Sequence, residues 1–239
     1  MWLCCALGGM LALACVAPHV QADEHVATVT ELDGRAFAYL PGTPARTLQE
    51  GDGVDEKTRI VTGKNASLTL VFSDETRLVL GASTVINIDN YRYRPQAQAP
   101  AGDDGDDDDP AFSFSTSIIT GAVRSISGLI GKYRPRKVVY RTTVATIGIR
   151  GTHFAADVQE TSATVILLAQ EDETASNAIE VANAYGKVEI AQPGYGTEIP
   201  DAHSPPSPPR LMQTTSSMTR ILRSVNTTRR VRVPRSPMR

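Results

Sequence analysis

The sequence predicts an all-β protein, built as a single β-sandwich or a β-helix-like stack of short strands. Short runs rich in Val, Ile, Leu and Thr alternate apolar with polar positions. Gly, Asp, Asn and Pro separate these runs at intervals of about 8–12 residues, which is typical of sandwiches and barrels. No long segment has the 3.6-residue periodicity of an amphipathic helix. Aromatic residues make up only 5% of the chain, so the core should consist mainly of aliphatic side chains.

The predicted strands follow one another from Val26 onward. In the run 67–72, Leu68, Leu70 and Phe72 share one face. Further strand-like runs cover residues 76–80, 84–89, 137–147, 163–169, 178–183 and 187–191. Residues 118–130 are ambiguous because their apolar residues also fit a helix face. Glycines interrupt them, and a helix loses about 1 kcal/mol per glycine relative to alanine. We therefore expect strand and turn there.

Two segments are predicted to be disordered. The insertion 93–111 contains six aspartates, and the tail 201–239 contains eight arginines with one acid. Clustered carboxylates suit a calcium loop, but the spacing of an EF-hand is missing, so a solvated insertion is the better interpretation. The tail is interpreted as a flexible extension, and the alternative is contact with a polyanion or an anionic membrane.

The N-terminus predicts export. Residues 1–22 are interpreted as a signal peptide, because an apolar stretch is followed by small residues at the cleavage positions, Val20 and Ala22. An uncleaved anchor and lipidation at Cys15 are the alternatives. All three cysteines lie in this segment, so a chain starting at residue 23 has no disulfide and no thiolate. This composition fits a bacterial periplasm or cell envelope. The predicted domain then covers residues 23–200.

The stretch TIGIRGTHFAADV, residues 146–158, carries the strongest local pattern. It lacks the lysine of a phosphate-binding loop and the third glycine of a dinucleotide fingerprint. Residues 147–151 match the Gly-x-x-Gly of an RNA-binding KH domain, but neither flank is helical and no nucleic acid partner is expected. A structural corner fits better. We expect close packing on Gly148, a positive φ at Gly151 and a guanidinium at Arg150 that pins neighbouring strand ends. The alternative for Arg150 is a ligand contact.

These residues resemble the FecR domain, a module of the bacterial envelope with the motif Thr-x-x-Ala-x-x-Gly-hydrophobic-Arg-Gly-Thr-x-Phe. The matching residues are Thr142 or Thr143, Ala145, Gly148, Ile149, Arg150, Gly151, Thr152 and Phe154. Upstream Gly-Asp, Thr-Gly and Asp-x-Thr elements and a downstream Gly-x-Gly turn follow in order, so the resemblance covers about residues 26–199. The best-known FecR proteins are anti-sigma regulators with a cytoplasmic segment and a transmembrane helix. This chain resembles the standalone exported versions.

No constellation of residues requires catalysis, and no cofactor or metal site is predicted. Past residue 22 the histidines are His25, His153 and His203, and none stands in a metal-binding spacing. The acidic residues near turns are explained by turn formation. The predicted function is therefore that of an exported, non-enzymatic β-domain that binds an envelope protein or a glycan, in signal transduction. The alternatives are a polyanion or glycan binder acting through the tail, and an envelope carbohydrate-active enzyme.

Overall fold

A computed structural model describes residues 25–95, 110–170 and 177–212, and residue 219. The predicted signal peptide and Cys15 lie outside the described residues, as do most of the insertion 93–111 and of the tail. The described chain is almost entirely β-structure. Its strands are β1 Ala27–Asp33, β2 Ala36–Tyr39, β3 Arg46–Thr47, β4 Gly53–Val54, β5 Arg59–Thr62, β6 Ser67–Phe72, β7 Arg77–Leu80, β8 Val85–Tyr93, β9 Phe112–Ile126, β10 Val138–Thr142, β11 Thr146–Arg150, β12 His153–Val158, β13 Ala163–Leu167, β14 Ala178–Asn183, β15 Gly186–Ile190, β16 Tyr195–Ile199 and β17 Arg210–Leu211. One short helix, α1 Leu129–Tyr133, and a 3-10 turn, Pro135–Lys137, connect β9 to β10.

The strands form two sheets that share β9. Sheet A has the order β4-β1-β6-β7-β9-β12-β13-β16-β17. Sheet B has the order β3-β2-β5-β8-β9-β10-β11-β14-β15. The first half of β9 pairs within sheet B and the second half within sheet A. The pair β9–β10 is parallel, and α1 lies in its crossover connection.

The two sheets pack face to face around one hydrophobic core, so the all-β prediction is confirmed and the sandwich alternative is the correct one. Aromatic side chains from the two sheets meet at its centre. Phe72 of sheet A lies 4.9 Å from Phe114 of sheet B, measured between ring centroids. Tyr140 of sheet B lies 4.9 Å from Phe154 of sheet A in an edge-to-face arrangement. All four rings are almost fully excluded from solvent.

The bend of β9 lies at Gly121, where the strand passes from one sheet to the other. Gly121 has a φ of +99°, a conformation that residues with a Cβ avoid. A Cβ at this position would lie 2.5 Å from the Thr84 Cα. Thr84 is fully buried, and its Oγ1 donates to the Ala122 carbonyl at 3.2 Å. The bend is thus fixed both by backbone conformation and by close packing.

Several sequence predictions need correction. The predicted strand 137–147 is two strands, β10 and β11, because Thr142 closes a tight turn between them: its N–H and hydroxyl both donate to the Ala145 carbonyl. Residues 118–130 are strand through Ile126, as expected, but a helical turn follows from Leu129. The ordered chain continues past the predicted boundary at residue 200. Residues 201–212 end in β17, which pairs with β16 and extends sheet A.

The bend at Gly121 gives a stability prediction. Gly121→Ala should destabilise the protein by about 2 kcal/mol or more, because it adds a steric collision to an unfavourable φ. Gly42→Ala is the matched control, since Gly42 has a φ of +81° and open space where a Cβ would stand. Urea unfolding of both variants measures the difference. Equal losses for the two variants would show that the contact with Thr84 is unimportant.

Candidate functional site

The arginine–glycine corner joins the end of β11 to the start of β12. Gly151 lies between Arg150 and Thr152 with a φ of +61°, as expected from the sequence. Gln170 donates through its side-chain amide to the Gly151 carbonyl. The chain therefore leaves sheet B at Arg150 and enters sheet A at His153. The corner is one of the places where the two sheets are covalently joined.

Thr152 is the residue that holds this corner. Its side chain is fully buried, and its Oγ1 donates to the Ala178 carbonyl at 2.7 Å and accepts from the Arg150 N–H at 3.0 Å. Its backbone is tied to Ser127 in both directions. The Thr152 N–H donates to Ser127 Oγ at 3.1 Å, and the Thr152 carbonyl accepts from the Ser127 N–H and hydroxyl. Thr152 thus connects the end of β9, the end of β11 and the start of β14.

The contacts predicted for Arg150 and Gly148 are absent among the described residues. The Arg150 residue is exposed, and no hydrogen bond or ion pair of its guanidinium occurs within the described part of the chain. A Cβ at Gly148 would meet nothing within 4 Å, so no part of the described chain packs closely on it. The physical reason is the strand register. Gly148 and Arg150 share the outward face of β11, whereas Ile147 and Ile149 face the core.

The motif residues Ala145 and Phe154 are buried. Ala145 is buried, and its N–H donates to Thr142 Oγ1 at 2.9 Å in the turn between β10 and β11. Phe154 has no exposed surface and packs on Tyr140. The Tyr140 hydroxyl lies 2.6 Å from Ser125 Oγ, and burial raises the pKa of Tyr140 above its usual value. The motif therefore builds the junction between the sheets around buried hydroxyls and rings.

A second buried polar group lies at Asp74, in the turn between β6 and β7. Asp74 is fully buried. Its carboxylate accepts hydrogen bonds from the Thr76 hydroxyl at 2.8 Å, the Thr76 N–H at 3.2 Å, the Ile130 N–H at 3.2 Å and the Tyr91 hydroxyl at 3.2 Å. The Asp74 carbonyl also accepts from the Leu129 N–H at 2.7 Å. The Asp-x-Thr element thus satisfies the first backbone donors of α1. The sequence analysis predicted only that this acidic residue forms a turn.

Burial raises the pKa of the Asp74 carboxyl above its ordinary value, and the hydrogen bonds from Thr76, Ile130 and Tyr91 partly oppose this. The same environment raises the pKa of Tyr91, because its hydroxyl is buried and lies beside the Asp74 carboxylate. The arrangement is a closed hydrogen-bond network beneath α1. Each carboxylate oxygen already accepts two bonds, so the group holds a loop in place and has no free position for a ligand.

His153 lies on the outward face of sheet A. Its Nε2 accepts a hydrogen bond from Arg124 Nε at 2.6 Å, and its Nδ1 lies 2.8 Å from the Ala169 carbonyl. This pattern requires the neutral ring with its proton on Nδ1. Arg124 is half-buried, and its burial together with the nearby Arg77 lowers its pKa. His153 is thus engaged as a hydrogen-bond partner of Arg124.

Within residues 25–95, 110–170 and 177–212, no group of three or more His, Cys, Asp or Glu side chains is placed to hold a metal ion. A surface cleft of about 510 Å³ lies beside the end of β2, the start of β5 and the middle of β8. Its lining includes Tyr39, which is 44% exposed, with Lys57, Arg59 and Asp89. The Lys57 ammonium donates to the Asp89 carbonyl, and the Asp89 carboxylate accepts from Ser117 at 2.6 Å. No helix among the described residues is both long and apolar enough to cross a lipid bilayer.

The contrast between Thr152 and Arg150 can be measured. Thr152→Val keeps the side-chain volume but removes two buried hydrogen bonds, so the free energy of unfolding should fall by about 2–3 kcal/mol. Arg150→Ala removes an exposed side chain and should change it by about 0.5 kcal/mol or less. Denaturant unfolding of both variants tests the order. A larger loss for Arg150→Ala would restore the arginine to the role of a pin.

The buried carboxyl predicts a pH dependence. A pKa raised in the folded state means that the protonated form is favoured by folding. The protonated carboxyl contributes its full stabilisation at pH values below about 3.9, the pKa of aspartate in the unfolded chain. This contribution is lost as the pH rises through the pKa that Asp74 has in the folded protein. The free energy of unfolding should therefore fall above pH 4 more in the wild type than in Asp74→Asn. Unfolding curves measured at pH 4 to 7 provide the test, and parallel curves for the two proteins would contradict it.

Comparison with known proteins gives a match to one family and alignments with solved structures. The family described as FecR protein matches residues 58–170, from β5 to just beyond β13. Two crystal structures of a "putative anti-sigma factor" from Parabacteroides distasonis ATCC 8503 align with 65% of this chain at TM-scores of 0.45, with 11% and 13% identity. The aligned part spans 60% of the length of those structures. No curated protein sequence matches the chain.

The matched region contains the motif at Ala145–Phe154 and the Asp74 turn, two places where buried polar groups hold the local structure. It is shorter than the resemblance read from the sequence, which extended over residues 26–199. The flanking strands β1, β2, β14 and β16 nevertheless pair directly with strands inside it. Residues 58–170 thus match the FecR family.

Proposed function

We propose that this chain is an exported, non-enzymatic FecR-domain protein of the bacterial cell envelope that binds a protein partner in signal transduction. In this proposal residues 1–22 are the signal peptide and residues 23–212 are the binding domain. The FecR family match supports a regulatory protein. The Asp74 network, with its carboxylate fully engaged, supports a binding rather than a catalytic domain. Binding requires a surface with unsatisfied recognition groups, and the edge of sheet B offers one.

The observation that carries this proposal is the open edge at β15. Within the described chain, β15 pairs only with β14. The strand is five residues long, and its charged side chains, Lys187 and Glu189, are exposed. The opposite edge of sheet B, β3, is only two residues long. An exposed strand of this length can accept an additional strand from a partner, with main-chain hydrogen bonds providing affinity.

The backbone groups that face outward can be identified from the hairpin. Asn183 and Gly186 pair across a two-residue turn, so these two residues exchange backbone hydrogen bonds. Alternation then directs the N–H groups of Lys187 and Glu189 away from β14. The hydrogen bonds of β14 are consistent with this orientation. The Ala178 carbonyl points towards Thr152 and away from β15. The Glu180 carbonyl, two residues later in the same strand, points the same way. The edge thus presents two donors and two acceptors to a partner strand.

A proline at position 187 tests this edge. Lys187→Pro removes one outward N–H and leaves the pairing with β14 intact. Lys187→Ala is the matched control, since both variants lose the 3.3 Å ion pair with Glu180. Cross-linking of the full chain to its partner in envelope extract should fall about tenfold or more for the proline variant alone, because each lost hydrogen bond costs about 1 kcal/mol and the ring blocks approach.

The outcomes separate the candidate partners. Equal cross-linking by the proline and alanine variants would overturn binding at β15. A glycan bound in the cleft beside Tyr39 would be insensitive to both substitutions, because that cleft lies at the β2–β5–β8 side of sheet B. Urea unfolding of the two variants should give similar midpoints, which excludes loss of the fold as the cause of lost binding.

A further inference from the structure

Part of the outward face of sheet A is apolar and excluded from solvent, although Arg124 and His153 lie on the same face. Its residues lie in register across neighbouring strands: Thr69 of β6 pairs with Val79 of β7, Val79 with Arg124 of β9, Arg124 with Ala155 of β12, and Ala155 with Ile166 of β13. Val79, Ala155 and Ile166 are at most 1% exposed. These side chains point away from the central core, since Leu78, Phe154 and Val165, beside them in sequence, belong to it.

Sheet B is different on its outward face. The first half of β9 alternates buried with half-buried residues, and its outward positions are Ser113, Ser115 and Ser117. In β12, by contrast, all five residues after His153 are buried. A strand buried on both faces is characteristic of a sheet that is covered on both sides. The burial of these residues thus indicates that this part of sheet A is covered, whereas the described outward residues of β9 in sheet B are half-buried.

The chain itself leads onto this face. After β17, the Met212 N–H donates to the Gly194 carbonyl at 3.0 Å, and the Met212 side chain packs against Ala155 and Ile166 together with Leu168. Residues 213–239 follow this point. Thr219, the one described residue among them, is helical and partly buried. The route of the chain thus begins at one end of the apolar row.

The sequence after Met212 matches such a covering element. Met218, Ile221, Leu222 and Val225 stand at positions i, i+3, i+4 and i+7, which form one stripe of a helix. A helix over residues 213–227 is about 22 Å long. Because neighbouring strands are about 4.8 Å apart, that length reaches from β13 across β12, β9 and β7 to β6. Arg220 and Arg223 lie opposite the stripe and would face solvent.

We propose that residues 213–227 of this chain form an amphipathic helix that docks on the outward face of sheet A. Its stripe of Met218, Ile221, Leu222 and Val225 covers the row of Val79, Ala155 and Ile166. The ordered domain then extends to about residue 227, and the arginine-rich remainder leaves from its far end. This contact makes the C-terminal segment a third layer of the sandwich.

The test is a pair of matched double variants of the full chain. Ile221→Asp with Leu222→Asp places two charges on the stripe. Ser216→Asp with Thr227→Asp places two charges on the opposite face and is the control. Amide exchange of residues 213–227 should accelerate roughly a hundredfold or more in the first variant only, because docking would bury two charges in an apolar contact. Dye binding to exposed apolar surface should rise in parallel.

Protection of β1 and β6 amides shows whether the sandwich remains folded. If the variant with Ile221→Asp and Leu222→Asp loses this protection, the single variant Val225→Asp is used in its place. It adds only one charge to the stripe and should show the same local effect. Rapid exchange of residues 213–227 in the wild type, or equal behaviour of the two double variants, would overturn the proposal. So would a wild-type dimer that dissociates in the stripe variant while residues 213–227 exchange rapidly, since a second copy would then cover the face.

Discussion

The strand β9 is the element on which the rest of the structure depends. It is central in both sheets, and its two halves face different partners. Gly121 permits this because a residue with φ near +99° and no Cβ can pass beside Thr84. Once β9 is bent, β7 and β12 must flank its second half, while β8 and β10 flank its first. The angle between the sheets and the position of the aromatic core follow from one backbone conformation.

Two buried polar groups hold the loops at the end of β9. Asp74 binds the N-terminal backbone donors of α1, and Thr152 binds Ser127, which immediately follows β9. Both residues are fully buried and fully hydrogen-bonded. A buried polar group that is completely satisfied specifies one arrangement, since any shift leaves a donor or acceptor without a partner. The short helix between β9 and β10 is therefore held by side chains from distant turns rather than by its own length.

Alternation of apolar residues predicted many of the longer strands, because one face of each must enter the core, but it missed short strands such as β3 and β17 and the turn that divides residues 137–147. It could not decide which outward positions are covered. Gly148 and Ala155 both occupy outward positions, yet one faces open space and the other is fully buried. The same limit explains Arg150. An arginine between glycines suggests a pin, but strand parity places its side chain outside, and the smaller Thr152 performs the function through its hydroxyl and backbone.

The position of the motif connects it to the proposed interface at β15. Thr152 Oγ1 holds the carbonyl of Ala178, the first residue of β14. Strand β14 carries β15, whose outer edge presents the Lys187 and Glu189 backbone. A displacement at the corner would therefore move the start of the hairpin relative to sheet B. Because an added strand must match the register of the edge, the proposed binding at β15 requires that the corner be rigid. The sequence motif and the proposed interface are thus mechanically connected through one strand.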